Sequence, residues 1–129
     1  MKKSEMFDIL LDKVCEVCEV SLHYVINDSK LQAIVEARTL AVHYLKEIGL
    51  TNDTIALIVL RKQANDNTLM PTLKQIKQKA KSIEKMDAGY YERKAARHPQ
   101  EYELQEKEIK AFCHTSYEEE REPWMAPLD

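Results

Sequence analysis

Glycine is nearly absent from this chain, with only Gly49 and Gly89 in 129 residues. That excludes a glycine-rich loop that cradles phosphates and argues against a β-rich fold with many tight turns. Long apolar runs are missing too. The longest, Ile55 to Leu60, is far short of the roughly 20 residues a membrane helix needs. The amino-terminal stretch Met1 to Phe7 carries two lysines but runs into Asp8, Asp12 and Glu16 instead of an apolar signal core, so no export signal is read. Cysteine is scarce and odd in number, at three. A disulfide framework is therefore not expected, and the cytoplasm is the expected compartment. No catalytic pattern stands out. His23, His43, His98 and His114 lack a nucleophile or carboxylate partner pattern, and Glu101, Glu103, Glu106 and Glu108 read as a solvated helix face. The expectation is a protein that is not an enzyme and needs no cofactor.

What the chain does have is helical periodicity. Hydrophobic residues make up 44%, enough for a core of three or four helices. Phe7, Leu10, Leu11, Val14, Val17 and Cys18 recur at helical spacing over residues 6–19. Ser21 can cap a short helix from Leu22 to Ile26, and Asn27-Asp28-Ser29 is turn chemistry. Leu31 to Ile48 is apolar over so much of its circumference that it reads as the central helix of a bundle, closed by Gly49. Thr51 or Asn52 would cap a helix through about Leu60, followed by a polar turn from Arg61 to Asp66. The next helix is expected to start near Asp66 or Asn67, with Pro71 in its first turn. Leu69, Leu73, Ile76, Ala80 and Ile83 would face inward, beside a stripe of Lys74, Lys77, Lys81 and Lys85.

Charge is unevenly spread. Residues 1–86 hold 13 Lys/Arg against 11 Asp/Glu, whereas residues 87–129 hold 6 against 11. Within 61–85 the count is 7 basic to 2 acidic. A basic patch of this kind suits a polyanion, though a solvated lysine face has the same composition. Residues 5–86 are read as one domain. Residues 87–129 are read as an acidic tail with one charged helix near 100–113, where Tyr102, Ile109 and Phe112 are sparse apolar points. The last stretch, Glu118 to Pro127, reads as extended or disordered.

Residues 7–86 resemble the C-terminal DNA-binding domain of the bacterial chromosomal replication initiator DnaA. The likeness is carried by Val14-Cys15-Glu16-Val17-Cys18-Glu19-Val20-Ser21, by Glu36-Ala37-Arg38-Thr39-Leu40-Ala41-Val42-His43-Tyr44-Leu45-Lys46-Glu47-Ile48, by Leu50-Thr51 with Ile55, and by Thr68-Leu69-Met70 leading to Lys74-Gln75-Ile76. The resemblance implies an all-α, Trp-repressor-like bundle with a helix-turn-helix, whose second helix enters the major groove of double-stranded DNA. It also implies a role in replication or transcription control. The departures fall on residues that would touch DNA. The family's arginine-bearing loop is here Asn27 to Gln32 with Lys30 as its one basic residue, Gln32 stands near the usual minor-groove arginine, and Glu36 adds a negative charge. The Gly-Gly-Arg turn is replaced by Leu60-Arg61-Lys62-Gln63-Ala64, and the initiator's ATPase module is absent.

The candidate DNA-binding residues are therefore Lys30, Gln32, Arg38, Arg61, Lys62, Asn65, Asp66, Asn67, Thr68, Thr72, Lys74 and Lys77. Asn amides pair with adenine edges, threonines reach phosphate or a thymine methyl, and lysines neutralise phosphates. Each has a plainer alternative. Asp66 serves equally as a helix cap, and Arg38 equally as an arginine whose stem packs while its head finds a carboxylate. Cys15 and Cys18 with Cys113 and His114 have zinc-ligand chemistry, but the first pair sits in a helical segment and reads as buried thiols, so no metal is expected. The acidic tail and Trp124 are candidates for a protein partner, or for folding over the basic helix and competing with DNA. Deleting 87–129 would then tighten DNA binding. A second reading keeps the fold as a protein-interaction module that has lost DNA specificity.

Overall fold

A computed structural model describes residues 2–97 and 99–119, with side chains for 2–97 and 100–112. Readings placed on His98, Cys113, His114, Glu118 to Glu122 and Trp124 lie outside the described residues and side chains. The described residues form an all-α bundle, α1 (Lys3–Cys18), α2 (Leu22–Ile26), α3 (Gln32–Glu47), α4 (Asn52–Gln63), α5 (Leu73–Ala88), α6 (Tyr90–Ala96) and α7 (Pro99–Glu119), and no strand occurs among them. No helix among them is long and apolar enough to cross a membrane.

The central helix is α3, as its broad apolar surface predicts. It packs against α1, α2, α5 and α6 and buries Ile34, Ala37, Leu40, Ala41, Tyr44 and Leu45. Thr39 is also fully buried, and its hydroxyl donates to the Val35 carbonyl at 2.8 Å, so that hydroxyl is not stranded. Gly49 ends the helix at φ +106°, a left-handed conformation that glycine adopts without strain, while the Leu50 N–H returns to the Leu45 carbonyl.

Around the loop between α4 and α5, both helix boundaries differ from those the sequence predicts. α4 is capped by Thr51, whose hydroxyl accepts from the Thr54 N–H, and it runs on to Gln63. Arg61 and Lys62 are thus helical, not part of a turn. Tertiary partners favour the extra turn: Gln63 donates to the Ile26 carbonyl at 3.0 Å, and the Lys62 ammonium lies over the Phe7 ring.

α5 starts at Leu73, well after Asp66. Thr72 is its cap, with the Thr72 hydroxyl accepting from the Gln75 N–H and the Gln75 amide accepting from the Thr72 N–H. This reciprocal pair satisfies two donors that the helix start would otherwise leave bare. Pro71 disfavours helical backbone at Met70 and so holds the start back. It precedes the helix instead of sitting in its first turn. The inward face of α5 accordingly begins at Ile76 and continues through Ala80 and Ile83, and Leu73 is left 70% exposed.

The core does not stop at residue 86. Tyr90, Tyr102 and Ile109 are at most 1% exposed and belong to the same apolar cluster as α1 and α3. α7 lies along α1, and Arg97 at the end of α6 pairs with Glu36 of α3 at 3.2 Å. The sparse apolar points of the charged segment are its anchors. As far as Phe112 the segment is part of the bundle, and removing it would uncover the core.

Candidate nucleic-acid interface

α4 and α5 are the most extensively packed pair of helices, joined by residues 64–72. With Ile76, Ala80 and Ile83 facing in, the opposite side of α5 carries Lys74, Gln78, Lys81 and Lys85, at successive spacings of four, three and four and all exposed. Among the described residues no carboxylate lies within ion-pair distance of Lys74, Lys81 or Lys85. Lys77 is rotated to the flank, where it meets Asp53 at 2.7 Å. Lys79, mostly covered, meets Asp28 at 3.3 Å. Of the lysine stripe expected from the sequence, Lys74, Lys81 and Lys85 face outward without a carboxylate partner among the described residues, whereas Lys77 is paired at the side.

The turn between α4 and α5 is held by its own side chains. Asn65 adopts a left-handed conformation at φ 53°, which asparagine tolerates better than most residues. The Asp66 carboxylate accepts from the Thr68 N–H at 2.9 Å and the Thr68 hydroxyl at 2.7 Å, and these bonds pull its pKa below the ordinary aspartate value. Asp66 closes a local turn and does not cap a helix. Arg61 reaches from α4 to donate to the Leu69 carbonyl at 2.8 Å and to the Met70 sulfur at 3.2 Å. Asn67 is exposed and lines an open cleft of about 250 Å³ with Ser4, Asp8, Ile58, Arg61 and Lys62. Lys62 itself is ion-paired to Asp8.

The remaining candidates sit around α2 and the start of α3. Arg38 donates to four backbone carbonyls, those of Val25 (2.9 Å), Ser29 (3.0 Å), Tyr24 (3.0 Å) and Asn27. A helix end leaves its last carbonyls without partners, and Arg38 supplies donors to those of α2. Burial lowers its pKa, against a raising influence from Asp28. The guanidinium is spent inside the fold, and the alternative in which its head finds a carboxylate is replaced by this carbonyl grip. Gln32 donates to Glu36, whose other oxygen holds Arg97, so the negative charge at Glu36 ties α6 to α3. Lys30 is exposed on the loop. Cys15 and Cys18 lie on α1 with their thiols pushed up to about 11, first by burial; both are free.

Of the predicted residues, the structure places Lys74 and Lys77 on α5 and Thr72 at its cap, Arg61 and Lys62 at the end of α4, and Asn65 to Thr68 on the turn between the two helices. Lys30, Gln32 and Arg38 belong to the α2–α3 region. Gln78, Lys81 and Lys85 join the outward face and were legible as helical spacing once the inward face was fixed by Ile76, Ala80 and Ile83. Exposed Met70 and Leu73 were not legible, because Leu73 fits the apolar stripe in sequence. No known protein family, curated protein or solved structure matches the chain.

Proposed function

We propose that the chain binds double-stranded DNA through the outward face of α5. The observation that supports this most is the row Lys74, Gln78, Lys81 and Lys85, solvent-facing and without a carboxylate partner among the described residues, on the second of two consecutive packed helices. A row of ammonium groups on a convex helix suits the phosphates flanking a major groove, which an α-helix fits in width. Affinity would come mainly from phosphate neutralisation and so be sequence-tolerant. Arg61 and Lys62 would contribute little, since each already has partners in the fold. A part in replication or transcription control rests on the resemblance to the initiator domain alone, and the cytoplasm expected from the cysteine count is where such DNA would be met.

The test is the salt dependence of binding to a random-sequence duplex, read by fluorescence anisotropy. Log affinity should fall linearly with log salt, and each of Lys74→Gln, Lys81→Gln and Lys85→Gln should reduce the slope by about 0.9. Absence of binding at low salt, or an unchanged slope in the triple variant, would remove the reading.

A further inference from the structure

We infer that Met70 and Leu73 form an apolar tip at the start of α5 that contacts thymine methyl groups in the major groove, giving the interface a preference for thymine-bearing DNA; this rests on the DNA-binding reading above. Met70 is 76% and Leu73 70% exposed, the two most exposed large apolar side chains among the described residues. Their position is fixed by the frame around them. Arg61 holds the Leu69 carbonyl and the Met70 sulfur, Pro71 stiffens the link, and the Thr72–Gln75 capping pair sets the direction of the first turn. Leu73 directly precedes Lys74, the first lysine of the outward row, so the apolar tip adjoins the end of the basic face.

Several polar groups suited to reading bases are committed here, while the exposed Asn65 and Asn67 amides lie on the turn before α5. The Thr72 hydroxyl and the Gln75 carbonyl oxygen hold each other's backbone, and the Thr68 hydroxyl donates to Asp66. The most exposed side chains flanking the Thr72 cap are therefore the apolar Met70 and Leu73. The feature of the major groove that an apolar group recognises is the C5-methyl of thymine. The flanking lysines supply the charge complementarity that brings this tip to DNA and to no neutral surface.

The experiment compares a short duplex of alternating dA and dT with the same duplex in which dU replaces dT, which removes only the methyl groups. The full chain and the Met70→Gln/Leu73→Gln variant are both titrated, with circular dichroism checking that the variant folds. The full chain should bind the thymine duplex more tightly by roughly fourfold for each methyl contacted, and the variant should bind both duplexes alike with the salt slope unchanged. Equal, salt-dependent binding of both duplexes by the full chain overturns the inference while leaving the DNA-binding reading intact. A methyl preference that persists in the variant overturns it as well. No binding of either duplex at low salt defeats both. Sedimentation velocity without DNA closes the other option: a dimer that the double variant abolishes would assign the tip to a second copy of the chain, against the inference.

Discussion

Arg38 donates to four carbonyls at the end of α2 and in the turn after it, and it does so from within the bundle. Three of these bonds are part-buried and the one to Tyr24 is exposed; a fully buried acceptor left bare costs about 1–3 kcal/mol, and a part-buried one less. Arg38→Ala is expected to destabilise the fold by about 3 kcal/mol in a urea titration, with Arg38→Lys recovering only part because an ammonium cannot span the same fork. Tyrosines of the α6–α7 side divide in the same way. The Tyr102 hydroxyl is buried without a partner among the described residues, whereas the Tyr90 hydroxyl donates to Glu106. Tyr102→Phe should leave stability unchanged or raised, and Tyr90→Phe should lower it, as thermal melts would show. Burial works to raise the Glu106 pKa, but the Tyr90 hydroxyl and the Lys94 ammonium outweigh it, leaving it below the ordinary glutamate value of 4.5. A lowered carboxylate contributes stability above its unfolded pKa and loses it as the pH falls through the folded value. Acidification below pH 4.5 should therefore loosen the α6–α7 contacts, visible as a drop in near-UV circular dichroism that Glu106→Gln no longer shows at that pH.

At the scale of elements, the start of α5 carries the most information. Its reciprocal cap predicts that Thr72→Ala costs about 1 kcal/mol, whereas Asp66→Ala should affect the turn more than the helix; hydrogen exchange of the Lys74 to Lys77 amides would separate the two. Apolar periodicity in the sequence locates α2 and α3 to within a residue and α1 to within three, because a long periodic segment leaves few alternatives. The sequence predicts too early a start for α5 because Asp66-Asn67-Thr68 and Thr72-Leu73-Lys74-Gln75 both carry capping chemistry. Only Pro71, by excluding helical backbone before it, separates them. Of the candidate site, the lysines were legible and their partners were not. Asp8, Asp28 and Asp53 lie far from Lys62, Lys79 and Lys77 in the chain, and nothing local announces those pairings. Tyr102 and Ile109 were visible as isolated apolar points in a charged segment. A surface to receive them exists only once α1 and α3 have packed.

On the whole molecule, the bundle has two unlike sides. α6 and α7 close the core over α1 and α3, while α5 turns a basic face to solvent. A chain ending at Ala88 would expose what Tyr90, Tyr102 and Ile109 bury. At about 2 kcal/mol for each side chain, the loss is comparable with the roughly 5–15 kcal/mol that holds a small domain together. Such a truncation should melt without a cooperative transition by calorimetry, so it cannot report on competition between an acidic tail and DNA. The outward row of α5 owes nothing to that core. Exchanging Lys74, Gln78, Lys81 or Lys85 removes no buried contact, while changing Arg38 or Tyr90 does. The two kinds of position would therefore age differently under mutation. The lysine face is free to drift in charge and in choice of target, and a descendant that lost every one of its free ammonium groups would still fold as well as its ancestor.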